Sequence, residues 1–366
     1  MSHSDRDGTD VVTSHAGLEA LATEWEVLAE TAGLPMLSHA WVLSCAATLY
    51  RQDALHVITV RRRGVLAGVA PLVTRLHAGI RRLELLGGSY LGEPSGLLYD
   101  SDEALEALVR AILDTRSPLV LSRIPSQSPA IARLRSAARG RGLMAARPVA
   151  DTIAVPIASG WDEYIARLSS RRRYDLRRAR RRADQAGKVA VRIHSPEPAE
   201  VEGMFAEFVR IEATGWKDRN GSSLRRRHIL REFFLHYSLL ASRSGILRFS
   251  FLDVDGRPIA AQLSVEYAKR LWVLKIGYDE GWSRCSPGLQ LLAETMRYAF
   301  ERKLDAYEFL GSDEAWLRGW ITERREFRTL ACYPATLSGM WGLVADSIGW
   351  LGGRVASLSR RRGASG

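Results

Sequence analysis

The sequence is poor in cysteine and lacks the short motifs that mark common metal, redox and nucleotide sites. Its 366 residues include three cysteines, Cys45, Cys285 and Cys332, which lie far apart and form no C-x-x-C pair. The eight histidines are scattered rather than spaced as metal ligands. Neither a G-x-S-x-G sequence nor a P-loop occurs. These absences argue against a zinc or dithiol site, a serine hydrolase and an NTP-using enzyme, and we expect no metal cofactor.

Long apolar runs are also missing. No window contains the roughly 18 uninterrupted apolar residues of a membrane-spanning helix. The first ten residues, MSHSDRDGTD, are polar and lack the basic and apolar segments of a secretion signal. The sequence therefore predicts a cytoplasmic protein with reduced thiols, whose contact with the inner face of a membrane would be peripheral.

Arginine, by contrast, is in excess. An apolar fraction of 46% with 25% charged residues is typical of a packed protein, here long enough for two domains. The net charge of +11 favours phosphorylated ligands, nucleic acid or anionic lipid. Eight arginines lie within 171–182, and on a helix they would cover every face. We interpret this segment as a solvated helix with phosphate contacts; tRNA binding is the alternative, although no RNA-binding motif accompanies it.

The two halves of the chain predict the same order of elements: three antiparallel strands, a helix and a further strand. In the first half these elements span 55–60, 65–73, 83–86, 102–113 and 118–124. In the second half they span 246–254, 258–265, 271–278, 287–302 and 306–310. Helices at 18–32 and 38–49, the second capped by Ser38, precede the first set. Gly64 and Gly256 occupy equivalent turns. The pattern predicts an α/β fold with a mixed sheet covered by helices; a chance match between two α/β stretches is the alternative.

An ordered set of short features lies between about Arg167 and Trp320. They are the arginine-rich segment 171–182; Glu212, Trp216 and Lys217; Asp255-Gly256-Arg257-Pro258-Ile259-Ala260-Ala261; Gly277-Tyr278-Asp279; Ser286-Pro287-Gly288; and Phe309-Leu310-Gly311-Ser312-Asp313-Glu314. In this set the chain resembles acyltransferases of the CelD/BcsL type, a GNAT-related family associated with bacterial polysaccharide production and related to the FemABX aminoacyl transferases. The resemblance implies two tandem GNAT-like domains, an acyl-CoA donor such as acetyl-CoA, and an amine or hydroxyl acceptor on a small molecule or saccharide.

On this basis we divide the chain into a degenerate GNAT-like domain (1–150), a GNAT-like acyltransferase domain (151–335) and a basic tail (336–366).

Apolar residues recur in the tail at steps of four and three, and arginines follow them. They are Leu337, Trp341, Val344, Ile348, Leu351, Val355 and Leu358, followed by Arg360, Arg361 and Arg362. This stripe predicts a helix that either packs onto the domain or makes peripheral contact with an anionic membrane through 337–362. Because four glycines weaken the helix, we favour packing.

The turn before the helix at 287–302 is the predicted donor site. Ser286 would cap the helix and Pro287 would occupy its first position, where a missing N–H is tolerated. Free backbone donors at such a terminus suit a pyrophosphate, and Arg284 could reach a phosphate. We therefore predict that Arg284, Ser286 and Gly288 bind the cofactor. An ordinary capped helix is the alternative, since the family's usual Q/R-x-x-G-x-G/A loop is represented only by Arg284 and Gly288.

The predicted catalytic groups follow the strand that precedes this turn. Acyl transfer needs a base to remove the acceptor's proton, and we predict Asp279, or Glu280, in that role with Tyr278 as an acid. Lys275 would bind substrate from the same strand. A polar turn after a strand is the alternative.

Two further positions are predicted to contact the acceptor. Asp313 would bind an acceptor amine and Glu314 would abstract its proton. In the alternative, both residues only form the first turn of a helix capped by Ser312, where acidic side chains are favoured. Trp216 and Lys217, in a predicted loop after an amphipathic helix, would hold substrate. In the alternative, Trp216 covers the core and Lys217 is an ordinary solvated charge.

These features together predict an acyl-CoA-dependent N- or O-acyltransferase that works by direct transfer. One alternative is a catalytically silent scaffold subunit of a polysaccharide or envelope assembly. It is motivated by the reduced pyrophosphate loop and by the amphipathic tail. A separate departure from the family is Leu317, which follows Trp316 where members often have a lysine. The other alternative is a transferase that uses aminoacyl-tRNA as its donor.

Overall fold

The computed structural model describes residues 7–311, 317 and 319–348, except for the side chains of Trp216 and Lys217. The chain forms two compact units. Within the described residues, the first unit comprises 7–32, 50–149 and 327–348, and the second comprises 33–49 and the chain from 150 to 326. The sequence-based division at 150/151 and 335/336 differs in assigning 33–49 and 327–335, and as a division into functional domains it stays a prediction.

Thirteen strands are recorded in the described residues. They are β1 (Gly8–Val12), β2 (Ala54–Arg62), β3 (Val65–His77), β4 (Ile80–Leu85), β5 (Leu98–Tyr99), β6 (Leu119–Pro125), β7 (Gly142–Pro156), β8 (Val189–His194), β9 (Leu247–Val254), β10 (Arg257–Tyr267), β11 (Arg270–Tyr278), β12 (Ala306–Glu308) and β13 (Glu323–Pro334).

The helices lie between and beside these strands. They are α1 (His15–Glu19), α2 (Ala22–Ala32), α3 (His39–Ser44), α4 (Gly88–Leu91), α5 (Asp102–Asp114), α6 (Pro129–Ala137), α7 (Trp161–Arg167), α8 (Ser170–Ala186), α9 (Val201–Glu212), α10 (Trp216–Arg219), α11 (His228–Arg243), α12 (Pro287–Glu301) and α13 (337–348). Short 3-10 helices occur at Pro35–Leu37, Pro198–Glu200 and Glu280–Cys285, and a π-helix at Cys45–Leu49.

The first unit is built on an antiparallel meander of β1, β2, β3 and β4. Strand β6 then pairs in parallel with β4, and β13 pairs antiparallel with β6. Helix α5 covers this sheet because its apolar residues recur at helical spacing and are buried. They are Leu105, Leu108, Val109 and Ile112.

The second unit repeats this plan. Strands β8, β9, β10 and β11 form the antiparallel meander, and β12 pairs in parallel with β11. The last residues of β7 pair antiparallel with β12. Gly64 and Gly256, with φ of 78° and 74°, turn the equivalent hairpins, in a region of backbone conformation that favours glycine. The repeat and the α/β class with a mixed sheet are thus confirmed.

Several predicted elements differ in detail. The helix predicted at 18–32 is interrupted between α1 and α2. Ser38 caps α3 as predicted, its Oγ accepting from the Trp41 amide at 3.3 Å, but a π-helix follows α3. This segment packs on α11, where the ring of Trp41 lies 4.9 Å from that of Phe233 and 4.8 Å from that of Tyr237.

The prediction that the apolar stripe of the tail packs onto its domain is wrong for the described residues. Helix α13 instead turns its glycines to the protein, and Gly339 and Gly342 are buried while Leu337 and Trp341 are exposed. The stripe beyond 348 lies outside the described residues. Among the described residues, no helix is both long and apolar enough to cross a membrane.

Candidate functional site

Strands β11 and β12 diverge after three paired residues, which creates the opening of the candidate site. Their parallel register ends at Trp272 and Glu308. The next residue, Phe309, donates its amide to the Ile153 carbonyl at 2.9 Å, so this chain segment follows β7 rather than β11. The second half of β11 therefore has an edge that is not paired with β12. Such an edge offers backbone hydrogen-bonding groups to a ligand.

A β-bulge in β11 decides which side chains face this opening. Lys275 pairs with Leu263 and Val273 pairs with Ser264, so Leu274 is an extra residue. Val273 packs into the core that contains α12, whereas the ammonium of Lys275 lies 4.9 Å from the ring centre of Phe234 on α11. Without the bulge, both side chains would share one face.

The turn between β11 and α12 is the predicted donor site, and the structure changes one detail of it. Pro287 occupies the first helical position as predicted. Ser286 precedes it in the left-handed region, with φ of 47°, and within the described chain its hydroxyl makes no capping hydrogen bond. Ser286 thus occupies the predicted N-cap position, but the capping hydrogen bond expected from its side chain is not formed. The roles of Ser286, Arg284 and Gly288 in cofactor binding stay predictions.

Gly288 lies directly under the ring of Tyr278. A Cβ atom at this glycine would be 3.2 Å from Cδ1 of Tyr278. Tyr278 also packs against the apolar cluster that contains Leu291 of α12. The ring thus lies on the α12 face of β11, opposite to Lys275.

The arginine-rich helix α8 lies against this turn. The amide Nε2 of Gln290, a buried side chain on α12, donates to the Ala179 carbonyl at 3.3 Å and to the Cys285 carbonyl at 2.7 Å. Arg182 donates from Nη1 to the Arg284 carbonyl at 3.0 Å. The exposed Arg178 lies one helical turn before Arg182, on the same side of α8. Two cationic side chains therefore lie beside the candidate phosphate site.

The expectation that α8 is solvated on every face is wrong. Ala179 and Ala183 are buried, and the guanidinium of Arg172 lies 5.1 Å from the ring centre of Trp320. Burial lowers the pKa of Arg172 from its usual value. Because alanines interrupt the arginine run at a spacing of four, one narrow side of the helix can pack.

The segment after α9 lies at the other face of the β11 strand end. A Cβ at Gly277 would be 2.7 Å from Cα of Glu212, and a Cβ at Gly215 would be 3.1 Å from the Tyr278 carbonyl oxygen. Glycine is needed at both positions for this close approach. Trp216 and Lys217 belong to α10 rather than to a loop, which corrects the prediction. Their substrate-binding roles stay predictions.

Ion pairs hold this segment in place. Asp218 accepts from Arg225 Nη2 at 2.6 Å and from Ser223 Oγ at 2.7 Å. The hydrogen bonds from Arg225 and Ser223 hold the pKa of the Asp218 carboxyl well below its usual range. Arg219 donates to both carboxylate oxygens of Glu280, at 2.7 and 3.0 Å. The Arg219–Glu280 pair ties α10 to the donor turn, whereas the contacts of Asp218 hold α10 to the chain that follows it.

The predicted bases are differently placed. The carboxylate of Asp279 accepts from the Gly281 amide at 3.0 Å and from Arg257 Nη2 at 3.1 Å, so it stabilises the turn. Glu280 forms the ion pair described above. Asp313 and Glu314 lie outside the described residues. The catalytic roles of these residues stay predictions.

Glu308 is an acidic residue that the sequence analysis did not single out. It is buried at the point where β11 and β12 diverge. Its neighbour Tyr307 packs toward α12, so Glu308 points to the opposite face, that of Lys275. Arg270 and Arg325 each approach its carboxylate to 3.5 Å. Burial raises the pKa of Glu308, and the two arginines oppose that shift. A carboxylate inside the apolar run Ala306-Tyr307-Glu308-Phe309 was the available signal.

Titratable side chains do not gather as a metal site in the described part of the chain. No group of three or more His, Cys, Asp or Glu residues there is close enough to hold a metal ion. The three cysteines are free and buried.

Comparisons with known proteins fit this geometry. Residues 170–318 match the family model described as an acetyltransferase (GNAT) domain. This range runs from the start of α8 through the turn before α12 and past β12. The GNAT part of the resemblance is thereby confirmed, and the CelD/BcsL type stays a prediction. No curated protein is significantly similar to the chain.

Solved structures resemble nearly the whole chain at low identity. A crystal structure of FemX is 14% identical with a TM-score of 0.61, covering 92% of this chain and 100% of that one. A conserved protein of unknown function from Bacteroides thetaiotaomicron VPI-5482 is 12% identical with a TM-score of 0.55, covering 89% and 99%. The C-terminal domain of a putative lysylphosphatidylglycerol synthetase from Agrobacterium fabrum is 11% identical with a TM-score of 0.51, covering 84% and 96%. At these identities the likeness shows the fold alone.

Proposed function

We propose that the chain is an acyltransferase that moves an acyl group from acyl-CoA directly to an amine or hydroxyl acceptor. The observation that carries the proposal is the divergence of β11 from β12 beside the start of α12. A thioester arm could add to the open edge of β11 while its pyrophosphate met the backbone donors of α12. The acetyltransferase family match over 170–318 supports the same donor.

In direct transfer the protein has two tasks: it holds the acceptor next to the thioester, and it moves protons. The acceptor nitrogen or oxygen attacks the thioester carbonyl, a base takes the acceptor's proton, and the C–S bond breaks as CoA leaves as a thiol. The base is proposed among Asp279, Glu314 and the buried Glu308. Tyr278 is proposed as the acid that protonates the leaving sulfur.

The remaining contacts divide between the two substrates. The donor pyrophosphate would be held by the backbone at Ser286 and Gly288 and by the side chain of Arg284. The acceptor would be held by side chains around the strand end. They are Trp216, Lys217, Lys275 and Asp313.

Calorimetry with acetyl-CoA and longer acyl-CoAs tests the donor. We expect wild-type protein to bind and Gly288→Glu to abolish binding, because the new side chain meets Tyr278 and places a negative charge at the helix start. Gly203→Glu is the matched control. It adds the same charge at an exposed position of α9 with no atom within 4 Å of its Cβ, and it should bind normally. Absence of binding by wild type, or undiminished binding by Gly288→Glu, would remove the proposal.

A second candidate donor, aminoacyl-tRNA, is supported by the contact between α8 and the donor turn. Binding of tRNA should weaken steeply as salt increases, since each phosphate contact releases counterions. Arg178→Gln with Arg182→Gln should reduce both the affinity and its salt dependence. No tRNA binding at low salt would exclude this donor.

The third candidate is a silent scaffold subunit, supported by the reduced pyrophosphate loop. It becomes the preferred function if neither acyl-CoA nor tRNA binds. For the enzyme, the proposal places the reaction in the cytoplasm, in polysaccharide or envelope production. It also includes peripheral contact with the inner face of the membrane through 337–362.

A further inference from the structure

Helix α13 presents its large apolar side chains to solvent. Leu337 is 83% exposed, Trp341 55%, Val344 46% and Ile348 66%. These residues follow one another at steps of four, three and four, so they form a single stripe along the helix. On soluble proteins, a large contiguous apolar surface that is exposed to solvent marks a site of interaction with another protein, a ligand or a membrane.

The opposite side of α13 is fitted closely to the first unit. A Cβ at Gly342 would be 3.0 Å from Cδ1 of Ile80, and a Cβ at Gly339 would overlap the backbone of Pro334. Glycine at these positions lets the helix backbone approach the protein, which leaves the large residues on the outer side. Gly339 and Gly342, which weaken the helix in isolation, therefore have a packing role.

Polar contacts fix the rotation of the helix. The carboxylate of Asp346 accepts from Tyr333 Oη at 2.7 Å and from Arg82 Nη1 at 3.2 Å, and it lies 3.1 Å from His77 Nε2. Trp341 donates its indole N–H to the Ala78 carbonyl at 2.9 Å. Turning the stripe toward the protein would break these contacts, so its exposure is built into the docked position of the helix.

The sequence that follows is cationic. Residues 347–366 contain four arginines, Arg354, Arg360, Arg361 and Arg362, and no aspartate or glutamate. An apolar stripe followed by arginines is the pattern of a helix that lies in the headgroup region of an anionic bilayer.

We propose that α13 and the arginines after it bind the surface of an anionic lipid bilayer, with the stripe 337, 341, 344 and 348 inserted among the headgroups. This inference rests on the membrane contact included in the proposed function and names its residues and lipid class, and its test does not depend on acyl transfer. A second copy of the chain fits the surface less well. The described part of the helix is about 18 Å long, its one row of side chains is small beside an ordinary protein interface, and a symmetric contact would bring two cationic tails together.

Flotation of the full chain with vesicles tests the contact. We expect the protein to float with vesicles of phosphatidylcholine and phosphatidylglycerol, and to remain behind with phosphatidylcholine alone. The triple variant Leu337→Ser, Val344→Ser and Ile348→Ser should lower partitioning to the anionic vesicles by at least about tenfold. It should fold normally, because these side chains are exposed.

Two further variants separate the apolar contribution from the charge. Val27→Ser with Val65→Thr removes apolar side chains that are 69% and 63% exposed elsewhere in the first unit, and it should partition as wild type does. Neutralising the four arginines to glutamine should weaken partitioning and remove its dependence on salt. The proposal is overturned if wild type binds neither vesicle, or if the triple serine variant binds as well as wild type. Light scattering that detects a dimer, and a monomer for the triple variant, would assign the stripe to self-association instead.

Discussion

The strand and helix that frame the candidate donor site have counterparts in the first unit, and the two pairs differ where a ligand would bind. Helix α5 begins with a side-chain cap, since Ser101 Oγ accepts from the Ala104 amide at 3.3 Å, and Asp102 and Glu103 occupy its first turn. Helix α12 begins with Pro287 and Gly288, with no acidic residue in its described first turn. The positive end of α5 is thus neutralised by its own side chains, whereas acidic side chains do not neutralise that of α12 in the described structure.

The strands β4 and β11, which occupy equivalent positions in the two units, also differ at their ends. Strand β4 ends in the buried Leu85 and is followed by the buried Leu86, whereas β11 ends in Gly277 and Tyr278. In the second unit Gly277 admits the end of α9, and the bulge at Leu274 turns Lys275 toward Phe234 of α11. The same order of strands and helices therefore ends differently in the two units. Whether the first unit is a degenerate copy stays a prediction.

The largest effect on stability is expected from adding a side-chain atom where β11 contacts the end of α9. Gly277→Ala places a Cβ against the Glu212 backbone, which cannot move away cheaply, and should lower the free energy of unfolding of the second unit by about 1–3 kcal/mol. Urea denaturation monitored by hydrogen exchange of β11 measures this. Gly203→Ala on the exposed side of α9 is the control and should not destabilise. Equal stability of Gly277→Ala and wild type would show that the two segments do not meet as described.

A smaller effect should distinguish the two helix starts. Ser101→Ala removes a capping hydrogen bond and should destabilise the first unit by about 1 kcal/mol. Ser286→Ala removes a hydroxyl that caps nothing in the described structure and should change stability by less than about 0.5 kcal/mol. Thermal unfolding of both variants provides the comparison. A larger loss for Ser286→Ala than for Ser101→Ala would contradict the contrast drawn between α5 and α12.

The smallest effect concerns acid stability. In both units an arginine lowers the pKa of a carboxyl group, namely Arg61 acting on Glu24 and Arg225 acting on Asp218. A carboxyl whose pKa is lower in the folded state stabilises the fold above its unfolded pKa, and that stabilisation is lost as the pH falls. Asp218→Asn should therefore make α10 less stable at neutral pH and flatten its loss of stability in acid, leaving the Glu24 region unchanged. Hydrogen exchange at neutral and acid pH measures both regions, and an unchanged acid response at α10 would exclude the ion pair.

Much of the fold could be predicted because it depends on local patterns. Alternating apolar residues, the hairpin glycines Gly64 and Gly256, and the capping Ser38 act within a few residues of their own position. Their order along the chain was enough to identify the repeat. The π-helix at Cys45–Leu49 and the break between α1 and α2 were missed because tertiary packing overrides local preference there.

The candidate site was predictable only in part. The turn at Arg284 to Gly288 was found because helix starts have a local signature, yet the left-handed backbone of Ser286 removed the expected cap. The role of Glu308 depends on where β12 leaves β11, and the position of Lys275 depends on a bulge, neither of which has a sequence signature of its own.

Local residue patterns alone thus established two copies of one α/β plan, because hydrogen bonding and apolar periodicity act over short distances along the chain. Tertiary structure decided what each copy can do. It placed an arginine-rich helix against a turn about one hundred residues away in the sequence, and it turned the apolar stripe of α13 outward. Both outcomes depend on which small residues, Ala179 and Ala183 in one helix and Gly339 and Gly342 in the other, allow a backbone to approach the protein.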